Sequence, residues 1–160
     1  MELQEFEEKI GKKHQFQEFN QLLNESIQSN TELKRNRLFH NLFWYLPVQL
    51  SEIEKDLIYK TYLDLHVGHY EHEDMLDHFH NNFIEPEVNI DILVSLVENP
   101  PSYFVEDDRE KVLQEKCLFT ISRQPTVKAK KTLETFSLSI DDTISRASKL
   151  YLEKLTKNVQ

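Results

Sequence analysis

Apolar positions recur at three- and four-residue intervals along nearly the whole chain, the period of helices with one buried face. Phe16, Phe19, Leu23 and Ile27 form one such stripe. Leu38, Phe39, Leu42, Phe43 and Leu46 form a broader one, which Pro47 should end because its ring cannot continue the hydrogen-bond ladder. Ser51 with Glu54 is a capping-box pattern, and Ile53, Leu57, Ile58, Tyr62 and Leu65 are the expected buried face of the helix it opens, with Gly68 as its stop. The next helix should begin near His72 and run to about Phe83, burying Met75, Leu76, Phe79 and Phe83, until Pro86 breaks it. From Val88 to Val97 two periods compete: Val88, Ile90, Ile92 and Val94 alternate like a strand, while Ile90, Leu93, Val94 and Val97 share a helical face. No other segment offers a partner strand, so helix is the reading. Pro100-Pro101 close it, and further helices are expected over about 107–123, 126–137 and 140–155. Pro125 suits the start of the second of these, and Ser139 with Asp142 would cap the third.

The expected class is therefore all-α, with about eight helices. Asp74, Asp108 and Asp142 are spaced 34 residues apart and stand at expected helix starts, where a carboxylate meets unpaired amides and the positive dipole end. Phe79, Leu113 and Ala147 fall in the same register, as do Phe83, Cys117 and Tyr151. A helix-pair repeat of this period predicts a short HEAT-like α-solenoid of antiparallel helix pairs. The 160 residues suit one helical domain, with N-terminal helices over 1–67 and helix pairs over 68–160.

Composition narrows the function classes. With 39% hydrophobic residues and 11% aromatics the chain is not a disordered one. Its two glycines, Gly11 and Gly68, lie in no phosphate-loop or dinucleotide fingerprint, which argues against a nucleotide site. The N-terminus has no basic stretch followed by an apolar one, and no apolar run approaches the roughly 20 residues that span a bilayer. Cys117 is the single cysteine, so no disulfide forms within the chain; between Leu113, Leu118 and Ile121 it reads as an inert buried thiol. A cytoplasmic protein without a membrane partner is expected.

Charge is concentrated. Residues 61–110 hold thirteen acids and one base, Arg109, a formal charge of −12, whereas residues 1–60 sum to −2 and residues 111–160 to +5. Such a block attracts a cation, a metal or a basic protein and repels nucleic acid. It opens with five of the seven histidines, His66, His69, His72, His78 and His80.

Metal binding is one reading of that run, since His69 and Glu73, and Asp74 and His78, are each one helical turn apart. A di-iron bundle needs Glu-x-x-His on two helices, and here no Glu precedes a His by three. A zinc protease needs His-Glu-x-x-His, and His72-Glu73 is followed by Leu76 at that position. Acid–base catalysis is another reading, but no nucleophile or cofactor element converges with the histidines. Simple solvation accounts for His14 and His40, though not for the −12 block around the other five. The reading preferred is a protein-binding face without metal, cofactor or catalytic residue. Tyr70 and Tyr103 would be anchors among Glu71, Glu73, Asp74, Asp77, Glu106, Asp107 and Asp108, with His69 and His72 hydrogen-bonding at the rim. Asp74 and Asp108 have helix capping as an alternative duty.

These same residues carry a resemblance. The His72-Glu73-Asp74 triplet is followed by the apolar segment Ile90–Val97, Pro100-Pro101, Tyr103, Asp107-Asp108 and the Lys116-Cys117-Leu118-Phe119 block. That order resembles the small all-helical, HEAT-like immunity proteins of bacterial polymorphic toxin systems, over residues 69–155 but not over the first 60. Arg123-Gln124-Pro125 departs from it, standing where such chains tend to carry a glycine-bearing turn. The resemblance implies a non-enzymatic protein that binds and neutralises a cognate toxin, often a nuclease domain, whose phosphate-holding surface is basic. The alternatives are a HEAT-like interaction adaptor with no toxin and, from another class, a metal-dependent enzyme using the histidines.

Overall fold

Caps and prolines divide the chain into nine helices among the residues that the computed structural model describes, 16–29, 37–44 and 50–157. They are α1 (Phe16–Ser29), α2 (Arg37–Trp44), α3 (Glu52–Leu63), α4 (His72–Phe79), α5 (Pro86–Glu98), α6 (Ser102–Glu106), α7 (Glu110–Arg123), α8 (Val127–Phe136) and α9 (Asp142–Lys157). No strand occurs among the described residues, so the ambiguous Val88–Val97 segment is helical and the class is all-α. The ninth helix beyond the expected eight is α6, one turn inserted after Pro101. Leu46, Pro47 and His14 lie outside the described residues.

The Ser51–Glu54 capping box is present: the Glu54 amide donates to Ser51 Oγ at 3.3 Å and the Ser51 amide to Glu54 Oε2 at 2.8 Å. Pro86 does not end the preceding helix, which stops at Phe79; it sits in the first turn of α5, behind Glu85 in a left-handed conformation (φ 46°). Thr126, rather than Pro125, caps α8 by accepting the Ala129 amide at 3.1 Å. At α9 the cap is Asp141, which accepts the Thr143 and Ile144 amides at 3.0 and 3.1 Å, while Ser139 Oγ accepts the Asp141 amide instead.

The 34-residue aspartate register therefore has no common structural cause. Asp74 lies inside the first turn of α4, Asp108 precedes α7 in a left-handed turn (φ 54°), and Asp142 follows its helix's cap. Neither Asp74 nor Asp108 accepts a capping hydrogen bond: the cap positions are Glu71 and Arg109, without a side-chain bond in either case. Phe79, Leu113 and Ala147 are all buried, but Phe83 is 41% exposed because α4 stops at Phe79. α7 lies at the centre of the packing, meeting α4, α5, α6, α8 and α9, while α3 meets α4 and α5, and α8 meets α5 and α9.

One hydrophobic core runs from Phe19 and Leu23 in α1 through Phe39, Tyr62, Leu76, Leu93, Leu118 and Leu133 to Ala147 in α9. Burying such side chains is the main favourable contribution to folding, about 1.5–3 kcal/mol for each large one. Cys117 lies wholly within it, and burial pushes its thiol above the usual range. The expected face of α3 is wrong in part. Ile53 and Leu57 are 70% and 50% exposed, and the helix turns Asp56 and Lys60 inward instead. Their ion pair is 2.6 Å long, and Lys60 also donates to the Ile84 carbonyl at 3.0 Å and to Glu85 at 3.1 Å. Gly68 is not the stop of α3, which ends at Leu63. It lies in the following linker at φ +90°, where a Cβ would come 2.7 Å from Ile27 Cγ2.

Candidate functional site

The α3–α4 linker and the first turn of α4 bring two histidines of the run into the interior. His69 and His72 are fully buried, so the rim position expected of them is not where they stand. Each neutral ring is satisfied on both nitrogens. His69 Nε2 donates to the Tyr62 carbonyl at 2.6 Å, and its Nδ1 accepts the Glu71 amide at 3.2 Å. His72 Nε2 donates to the Leu65 carbonyl at 3.1 Å, and its Nδ1 accepts the Tyr103 hydroxyl at 3.0 Å. A carbonyl can only accept and an amide can only donate, which sets these roles. Burial holds the His69 ring down at about 4 and, with the neighbouring His69 ring, the His72 ring well below the ordinary histidine value. Both carry carbonyls near the end of α3, where helices run out of intrahelical donors.

The other histidines are dispersed. His66 Nε2 is 3.4 Å from Ser95 Oγ. His78 stacks on Tyr59 at 4.1 Å, and its Nε2 accepts from Asn82 at 2.8 Å. His80 lies 3.6 Å from Asp77 and meets Phe119 edge-on. His40, expected to be solvated, is half-exposed but pairs with Glu71 at 2.8 Å. Among the described residues no group of three or more His, Cys, Asp or Glu is placed to hold a metal ion.

Of the predicted partner-binding residues, Glu71 is buried, taking His40 on Oε1 and the Trp44 indole on Oε2 at 3.3 Å. Glu73 is half-buried between Arg109 and Lys116, the latter at 2.9 Å. Burial alone would raise its carboxyl, but the hydrogen bonds and charges of Lys116 and Arg109 hold it below the usual range. Asp74 and Asp77 are exposed on α4. Burial and the charges of Glu71, Asp77 and Glu73 push the Asp74 carboxyl up, the mark of crowded negative charge.

Tyr70 and Tyr103 do come together, with ring centroids 4.2 Å apart, both half-buried. Beyond Tyr103 the chain turns through Glu106, Asp107 and Asp108, all exposed, before Arg109 reaches back to Glu73 and lies 5.6 Å from the Phe104 ring. The α4 start and the α6–α7 turn are thus joined by the Tyr70–Tyr103 pair and the Arg109–Glu73 bond; Asp74 and Asp77 are exposed on the one, Glu106, Asp107 and Asp108 on the other. Sequence reasoning missed the cations at this junction. Arg109 and Lys116 lie 36 and 43 residues from Glu73, a separation that leaves no local signal. Elsewhere Lys128 pairs with Asp91 at 2.6 Å and Lys60 with Glu85. The −12 block is therefore partly neutralised by the molecule itself.

Comparisons with protein-family models, with curated proteins and with solved structures give no match. Among the described residues no helix is long and apolar enough to cross a membrane. The class the fold defines is all-α, with an aromatic pair joining two segments that carry exposed carboxylates.

Proposed function

We propose that the chain is a non-enzymatic binding protein that takes a basic protein domain against the corner formed by α4, α6 and the α6–α7 turn. The observation that carries this reading is the convergence of Tyr70 and Tyr103, from positions 33 residues apart, into one aromatic pair between two segments that also carry exposed carboxylates. Paired tyrosines supply contact area at little entropic cost, and a rim of one charge speeds capture and sets register. Tyr103 is held in place before binding by its hydrogen bond to buried His72, so little ordering is left for a partner to induce. The partner is a cytoplasmic toxin domain, as the resemblance to HEAT-like immunity proteins implies, and the acidic corner occupies its phosphate-binding surface in place of nucleic acid.

The test is co-purification with the product of the neighbouring open reading frame, followed by affinity measurements from about 50 to 500 mM salt, over which exposed charges become screened. Binding that weakens with salt, and that is lost with Tyr103→Ala, is the expected result. A complex indifferent to both salt and the substitution would place the contact elsewhere.

A further inference from the structure

Two features at opposite ends of the α8–α9 hairpin have no use in the binding reading. The first is the loop between the helices. Its Leu138 and Ile140 are 84% and 103% exposed, the most exposed large apolar side chains among the described residues. The loop is nevertheless braced. The Leu138 and Ser139 amides donate to the Thr135 and Phe136 carbonyls at 3.1 and 3.0 Å, Ser145 Oγ donates to the Ser137 carbonyl at 2.7 Å, and Asp141 is tied to Lys111 of α7. Two apolar side chains held out in this way lose little freedom when something covers them.

The second feature is a surface groove of about 570 Å³ between the start of α8 and the end of α9, lined by Pro125, Val127, Ala129 and Leu155. Its lining holds one charged side chain, Lys130, whose carboxylate neighbour Glu134 is 3.9 Å away. Arg123 and Lys157, both exposed, stand next in the chain to the lining residues Gln124 and Thr156. The 10 residues of α8 put about 15 Å between groove and loop, so a molecule cannot fill its own groove with its own loop.

We propose that the α8–α9 loop of one copy docks, head to tail, in the α8–α9 groove of a second copy. Charge favours that pairing over the others. Near the loop, Glu134, Asp142 and the Asp107–Asp108 turn before α7 are exposed, against Lys131 and Arg146, while Lys111 is spent on Asp141. Among the described residues no carboxylate lines the groove, and cations flank it. An apolar loop with an acidic rim thus meets an apolar groove with a basic one, whereas loop on loop or groove on groove would oppose like charges. The two surfaces differ, so each added copy still offers a free loop and a free groove. Association of this kind continues into an open chain instead of stopping at a dimer.

The full chain alone tests this, by sedimentation equilibrium and light scattering. The contact is small and its affinity modest, so in about 50 mM salt the average mass should pass that of a dimer as concentration rises from about 10 µM to about 1 mM. In about 500 mM salt it should fall back toward the monomer. Ile140→Asp removes the apolar tip of the loop, and Val127→Glu puts a carboxylate into the groove. Both positions are exposed, and the second lies in the first turn of α8, where an acid is well placed, so both variants should fold as the parent does, which circular dichroism checks. Each alone should stay monomeric over the same range. Mixed in equal amounts they should form a one-to-one dimer and nothing larger, because the Val127→Glu molecule keeps its loop and the Ile140→Asp molecule keeps its groove. A parent chain still monomeric at about 1 mM, a mass that stops at the dimer, association retained by either variant alone, or a mixture that fails to pair would each overturn the head-to-tail contact. None of these outcomes depends on the function proposed above.

Discussion

Among the described residues, Lys60→Met probes the one ion pair with both side chains enclosed by the fold. Lys60 Nζ reaches Asp56 Oδ2 at 2.6 Å, the Ile84 carbonyl at 3.0 Å and Glu85 at 3.1 Å, and both Asp56 and Lys60 are buried. Methionine keeps the length of the side chain and removes the charge and the donors. Asp56 then has no substitute at hand. Its Oδ1 already lacks a hydrogen-bond donor, since His78 Nε2 stands 3.4 Å away and accepts from Asn82 at 2.8 Å. Removing one member of a buried pair costs about 3–5 kcal/mol, because the remaining charge stays buried without compensation. Against a total stability of about 5–15 kcal/mol this is a large fraction, and for a chain of this length it lowers the melting temperature by roughly 10 °C. Urea unfolding followed by far-UV circular dichroism measures it, with an unchanged slope as the sign that the native and denatured states keep their extent. Lys55→Met, which breaks the exposed Lys55–Glu52 pair, is the control and should leave the midpoint nearly where it was. Asp56→Leu combined with Lys60→Met should recover most of the loss, since a matched apolar pair is often no worse than a buried ionic one. A loss below about 1 kcal/mol for Lys60→Met, or a double variant as unstable as the sum of the single ones, would refute the account.

Three further outcomes follow from the packing. Gly68→Ala places a side chain at φ +90° and against Ile27, and should destabilise by about 1–2 kcal/mol in the same urea assay, more than an alanine at any exposed linker position. Asp141→Ala should cost about 1 kcal/mol through loss of the α9 cap, whereas Asp108→Ala, which removes no capping bond, should not; equal losses would contradict the cap assignment. Stability should decline in acid with a sign set by the histidines. His69 is depressed from 6.5 to about 4 in the fold, so the unfolded chain binds its proton first, and stability that is complete above pH 6.5 is lost as pH falls toward 4. The loss is about 3 kcal/mol from this residue, added to that of His72, and a urea midpoint constant from pH 7 to 4.5 would exclude it.

Helix class and most boundaries were legible because they depend on local chemistry. The Ser51–Glu54 box, Pro86 and the Pro100-Pro101 stop act within one turn of where they stand in the chain. The buried face of α3 was not legible. Asp56 and Lys60, spaced four apart, look the same as a solvent-exposed i, i+4 pair, and only the fold places the Ile84 carbonyl above Lys60. The aspartate register failed for a related reason: Asp141 and Asp142 are equivalent in composition, and a shift of one residue decides which carboxylate meets the free amides. At the candidate site, Tyr70 and Tyr103 were recognisable as anchors by type, and the fold does join them. His69 and His72 were misplaced because a histidine among carboxylates reads as polar surface, whereas its two ring nitrogens let it satisfy buried backbone groups on both sides.

The net charge of a segment is a poor measure of the field it presents. Within 61–110, Glu71 is turned inward to His40 and Trp44, Glu73 is clamped by Arg109 and Lys116, and Asp91 and Glu85 hold Lys128 and Lys60. Those carboxylates contribute mainly to holding α2, α3, α7 and α8 to their neighbours, and at a distance their charge is cancelled by the partner beside it. Asp74, Asp77, Asp107 and Asp108 stay exposed on α4 and the α6–α7 turn, and Asp64, Glu87 and Glu98 are exposed elsewhere, so the field of the segment is spread out as well as reduced. Arg109 has two duties in this arrangement. Its bond to Glu73 joins the α6–α7 turn to α4, and its position over Phe104 braces the same turn that His72 holds through Tyr103.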